Sequence, residues 1–162
     1  MVEISEITGD GQLESSLAVI RDSFSTVAGE LNLTQENAPT HPFFSTLEQL
    51  IELHKKAAFF GLYTDGEQAG FAAVEKAGNG TYFLGRLSVV PRHRHKGYGR
   101  MLVEFTLDYA KQQGGVKVAL GTIDGYKILK DWYITLGFRE TGTRRFEHLP
   151  FIVCFMEYDL TA

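Results

Sequence analysis

The run Leu87-Ser88-Val89-Val90-Pro91-Arg92-His93-Arg94-His95-Lys96-Gly97-Tyr98-Gly99-Arg100 constrains the fold of this chain more than any other stretch. An apolar strand pattern stops at a proline, crosses a basic loop with two glycines, and turns helical at the second glycine, Gly99. A strand feeding a helix through so short a loop belongs to a layered α/β fold. The junction also leaves main-chain N–H groups unpaired at a positive helix end, which suits a phosphate or pyrophosphate.

The charge distribution sharpens that reading. The chain of 162 residues carries a net charge of −4, yet four of its 16 lysines and arginines fall between Arg92 and Arg100. An acidic protein with one basic cluster argues against a nucleic-acid binder, which needs a broad basic surface, and favours a compact anionic ligand. His93 and His95 alternate with cations and have no acidic or thiol neighbour in sequence, so no metal site is expected there. The single cysteine, Cys154, lies in an apolar run and reads as core. With one cysteine, no apolar run near the roughly 20 residues of a membrane span, and no signal-like start, the expected compartment is the cytoplasm, with no membrane partner.

Hydrophobic periodicity organises the rest. Val2, Ile4 and Ile7 predict a first strand, and Leu13, Leu17, Ile20, Phe24 and Val27 a helix. Thr46 is placed to cap a short helix through Leu50 and His54. Ala57 to Tyr63 and Gly70 to Val74 read as a hairpin about Asp65-Gly66-Glu67, and Gly78-Asn79-Gly80 turns into a strand over 82–90. A helix follows Gly99, then a strand over 116–120, a helix through Trp132 and Tyr133, and two final strands over 139–143 and 151–158. The expectation is one α/β domain over residues 1–162, with a mixed sheet in which an antiparallel meander precedes a βαβα passage.

Two segments together carry a resemblance. Leu87, Val89, Pro91, Arg94, Gly97, Gly99 and Leu102 fulfil a Leu-x-Val-x-Pro-x-x-Arg-x-x-Gly-x-Gly-x-x-Leu pattern, and Tyr133, Gly137 and Phe138 a Tyr-x-x-x-Gly-Phe pattern. In this order, one helix and one strand apart, they resemble the GNAT superfamily of acyl-CoA-dependent N-acetyltransferases, over residues 57–143 best. The resemblance implies a GNAT-like fold whose strand at Leu87–Val89 splays from that at Val116–Leu120 to admit pantetheine. It implies that main chain around Leu87, Ser88 and Val89 bonds the pantetheine, with an N–H near Val89 polarising the thioester carbonyl. It further implies that His95, Lys96, Gly97, Tyr98, Gly99 and Arg100 hold the pyrophosphate, with Arg94 neutralising phosphate charge.

By the same resemblance Tyr133 is the general acid for the departing thiolate, and acetyl-CoA the cosubstrate. Phe83 and Arg86 stand on the strand where some relatives place a carboxylate, so Glu75 is the leading candidate base, with Glu147 and His148 as alternates. Glu75 reads equally as an ion-pairing strand residue. Tyr126 replaces an asparagine that often bonds pantetheine, and Lys130 reads as an adenosine-phosphate contact or a surface lysine. The implied function is acetyl transfer to a primary amine by direct attack in a ternary complex; the alternative is a non-catalytic acyl-CoA-binding module. Phe24, Leu31, Phe43, Phe44, Phe146 and Phe151 are expected to wall the acceptor pocket, with Glu30, Glu36, His41, Glu147 and His148 as polar contacts, and the terminal strands suit a homodimer.

Overall fold

A computed structural model describes residues 1–162. Strand β1 (Val2–Glu6) leads into helix α1 (Gly11–Glu30), and a short helix, α2 (Leu47–His54), precedes the hairpin strands β2 (Ala57–Thr64) and β3 (Glu67–Gly78). Strand β4 (Thr81–Val89) ends at Pro91 and passes through the basic loop into α3 (Tyr98–Gln112). Then come β5 (Lys117–Ile123), α4 (Lys127–Thr135), β6 (Arg139–Arg145) and β7 (Ile152–Asp159). Helix α3 starts at Tyr98, one residue before the expected Gly99, because Gly97 takes the cap position in a left-handed conformation at φ +82°.

The seven strands form one sheet in the order β1-β2-β3-β4-β5-β7-β6. Neighbours are antiparallel except β4 and β5, so the expected meander and parallel passage are both present. The final strand inserts between β5 and β6, which leaves β6 on an edge with every residue exposed.

Side-chain alternation along the strands sorts the helices onto two faces. Phe59 and Phe71 point to the face covered by α1 and α2, where His54 stacks on Phe59 at 4.5 Å between ring centres. Phe60 points to the opposite face and meets Phe105 and Tyr109 of α3 at 4.9 and 5.0 Å. Helix α2 is fixed at its start by Thr46, whose hydroxyl accepts the Gln49 N–H while the Gln49 side chain accepts the Thr46 N–H. Cys154 is fully buried in the main core, in keeping with a packing role. No helix is long and apolar enough to cross a membrane.

Leu102 sits at the centre of the α3 contact, fully buried. Leu102→Ala is expected to cost roughly 2–5 kcal/mol of stability in urea unfolding, by lost burial plus the cavity left behind.

A second packing unit lies at the far end of α1, where Ala28, Leu33 and Ala38 meet Phe43, Phe44 and Phe151. His41 caps the short 3-10 turn Pro42–Phe44, its Nδ1 accepting the Phe43 N–H. Burial holds its pKa at about 4, against 6.5 for a free imidazole. The unfolded chain therefore takes up a proton between these values that the folded chain refuses. The resulting stability is complete above about pH 6.5 and is lost as pH falls to 4, worth roughly 3 kcal/mol. His41→Asn keeps a capping oxygen and removes the titration, so unfolding measured from pH 7 to 4 should show a flatter acid limb than the parent.

Candidate active site

The parallel pairing of β4 and β5 spans only Thr81–Phe83 against Lys117–Ala119. Beyond it β5 continues beside β7, while β4 stays with β3 but bulges. On β3, Phe71 faces Ser88 and Ala73 faces Gly85, so Arg86 and Leu87 together oppose Ala72. Arg86 adopts φ +51°, and the buried Ser88 hydroxyl donates to the Arg86 carbonyl at 2.8 Å, pinning the bulge. The Ser88 side chain thus has a structural task. The strands separate here, and a cavity of about 460 Å³ opens between them.

One wall is Leu84 to Leu87 and the other Leu120 to Ile123. Tyr126, Leu129 and Tyr133 close it from α4, Phe24 and Val27 from α1, and Phe146, His148 and Phe151 from the β6–β7 loop. Tyr133 is only 6% exposed, and burial pushes its hydroxyl above the ordinary phenol range. Its ring packs on Trp132 and Phe138, whose N–H returns to the Tyr133 carbonyl at 3.1 Å. The Tyr-x-x-x-Gly-Phe spacing is therefore one closed turn that fixes the tyrosine ring. Tyr126 has its pKa raised by burial first and then by the neighbouring Glu30 carboxylate.

The basic loop runs past the end of β4. His95, Lys96, Gly97 and Arg100 are exposed, and Tyr98 is half-buried against His93. Nothing lies within 4 Å of where a Gly97 Cβ would stand, so its left-handed backbone is what demands glycine there. Gly99 serves a different end, because a Cβ would meet the Trp132 ring at 3.3 Å. That contact brings α4 against the start of α3.

Several expected ligands are engaged elsewhere. Arg94 turns back to α1, donating from Nη1 to Thr26 Oγ1 at 2.9 Å and from Nη2 to the Ser23 carbonyl at 2.7 Å. The Val89 N–H donates to Ser23 Oγ at 3.2 Å, so this group is not free for a thioester carbonyl. Lys130 pairs with Asp124 at 2.8 Å and Glu140 at 2.7 Å, and these carboxylates raise its pKa. With Cys154 the two carboxylates form a compact group of metal-ligand types, and the Lys130 ammonium already supplies its cation. Glu75 lies outside the cavity and faces Lys56 at 3.9 Å, the ion-pairing alternative. Of the two alternates, His148 lines the cavity and Glu147 does not.

Ser23 and Thr26 escaped the sequence reading. Their signal is two small polar residues three apart, and so on one side of a helix that carries many other polar residues. Arg86 was legible only as a missing carboxylate.

Comparison with known proteins agrees with this architecture. The ribosomal-protein-S18-alanine N-acetyltransferase of Escherichia coli superposes with a TM-score of 0.79 over 99% of this chain and 94% of its own, at 19% identity. The PaiA N-acetyltransferase of Thermoplasma acidophilum, solved with coenzyme A, gives 0.74 over 98% and 99%, at 18% identity. In sequence, a streptothricin acetyltransferase of Streptomyces lavendulae is 40% identical over 57 residues, 35% of this chain and only 30% of that protein. The model of the Acetyltransferase (GNAT) family matches residues 24–138, across the bulge, the basic loop and Tyr133. The chain belongs to the GNAT acetyltransferase family.

Proposed function

We propose that this protein transfers an acetyl group from acetyl-CoA to a primary amine by direct attack in a ternary complex. The observation that carries this reading is the three-residue limit of the β4–β5 pairing, with the cavity and Tyr133 lying where the pairing stops. Main chain at the splayed edge is positioned to bond an extended ligand as a substitute strand. The segment His95–Arg100 has the open main chain and cations to hold a pyrophosphate, with Lys96 as a charged partner and Arg100, paired on the surface with Glu104 at 3.0 Å, as a second. Arg94 and Lys130 are engaged within the fold, so they act by shaping the loop and the end of α4.

Acetyl-CoA supplies an activated thioester. The protein's own groups divide the remaining work. With the Val89 N–H taken by Ser23, the N–H of Leu87 on the same strand edge is the donor for the thioester carbonyl, an oxyanion-type contact. Tyr133, kept protonated by burial, donates its proton to the departing sulfur. An alkylammonium must lose a proton before it attacks. The titratable side chains lining the cavity are His41, Arg86, Tyr126, Tyr133 and His148. His41 is held at about 4 and is too weak a base, Arg86 is a cation, and both tyrosines are pushed upward. His148 is the group left to accept that proton, directly or through water.

The comparison proteins are named for streptothricin and for the alanine of a ribosomal protein, chemically unlike amines, so their names select no acceptor. An acetyl-CoA turnover screen over amino acids, polyamines, aminoglycosides, arylamines and peptide N-termini, read as thiol release, tests the activity. A protein that binds the coenzyme but turns over no amine would be the non-catalytic module instead. Tyr133→Phe should lower kcat by about 100-fold while coenzyme affinity changes little. Glu75→Gln should match the parent across pH, whereas His148→Gln should lower the alkaline plateau of kcat/KM. An unchanged kcat in Tyr133→Phe would remove the acid.

A further inference from the structure

We infer that Arg86 receives a carboxylate of the acceptor, and that the acceptor is an apolar amino acid offering its free amine. This rests on the acyltransfer reading above and names its substrate class. Arg86 occupies the bulge, in a left-handed backbone conformation that non-glycine residues rarely take, locked there by Ser88. Its Nε is shut off from solvent and bonded to nothing. Arg21, Arg94 and Arg100 all donate hydrogen bonds within the fold, whereas the Arg86 guanidinium has neither a hydrogen bond nor an ion pair. Burial alone acts on its pKa, downward, with no carboxylate opposing it. A guanidinium remains charged even so, and a half-buried charge whose Nε has neither water nor a partner is costly.

The cavity says what partner fits. Fifteen of its 23 lining residues are hydrophobic, and Arg86 is the only lysine, arginine, aspartate or glutamate among them. One planar cation in an apolar wall suits a single carboxylate, held by two parallel N–H donors. The basic loop that suits the coenzyme phosphates lies beyond Val89, at the other end of the splayed segment, so Arg86 is left for the acceptor. Phe24, Phe83, Phe146 and Phe151 provide the surface for an apolar side chain. Because Arg86 adjoins Leu87, a carboxylate held there keeps a nearby amine close to the thioester, as in an amino acid. No carboxylate lines the same wall, Glu30 meeting Tyr126 from outside the lining, and this disfavours polyamines and aminoglycosides.

Calorimetry on the 162-residue chain separates these claims. Coenzyme A is titrated first, and the preformed complex then receives L-phenylalanine, L-phenylalaninamide or spermidine. The acid should bind about 30-fold more tightly than the amide, the scale of a hydrogen-bonded charge pair, and spermidine should give no heat. Arg86→Asn, whose side chain tolerates the left-handed backbone, should bring the acid down to the affinity of the amide. An amide that binds as well as the acid overturns the inference, as does an Arg86→Asn variant that loses both alike. The acid-to-amide ratio in the parent decides the matter even if that variant fails to fold. If coenzyme A itself gives no heat, the acyltransfer reading falls and this inference falls with it.

Discussion

Everything in this molecule that points to chemistry depends on β4 giving up β5 after three residues. A sheet interior normally pairs each main-chain N–H and C=O, and leaving them open is costly unless a ligand or water answers them. The opening persists because each strand is held on its other side. Strand β4 pairs with β3 on both sides of the bulge, and β5 pairs with β7 over seven consecutive residues. The gap is thus a rigid slot between two well-paired half-sheets.

The order β5-β7-β6 is part of that arrangement. By inserting the last strand beside β5, the chain gives β5 a full partner where β4 leaves it. It also carries the β6–β7 loop, with Phe146, His148 and Phe151, over the mouth of the slot. The two walls of the slot and the loop across its mouth, separated in sequence, are therefore brought together by one topological choice.

That choice marks the boundary of what the sequence made legible. Local patterns were readable: the Thr46 N-cap, the Gly78-Asn79-Gly80 turn, and the strand, proline, glycine loop and helix of residues 87–102 all folded as their chemistry predicts. The exchange of β6 and β7 is a pairing between distant segments, and nothing in Arg139–Arg145 announces it. Side-chain partners were illegible for the same reason. Arg94 stands in a basic loop and reads as a phosphate ligand, but the acceptors it found lie some 70 residues earlier, at Ser23 and Thr26. Glu75 has a base's chemistry, yet its strand position sets it against Lys56 instead of toward the cavity.

Helix α1 ties these threads together. On one turn it presents Ser23 and Thr26 to the Val89 N–H and the Arg94 guanidinium, and Phe24 and Val27 to the cavity. The polar pair fixes where the basic loop stands; the apolar pair shapes the cavity. Residues so close on a stiff helix are held as one body, so these hydrogen bonds tie the position of the basic loop to that of α1. Because Arg94 grips with two donors from a planar group, that linkage resists rotation as well as separation. The sequence pattern that reads as a phosphate motif therefore encodes, through its arginine, the tie between the basic loop and α1.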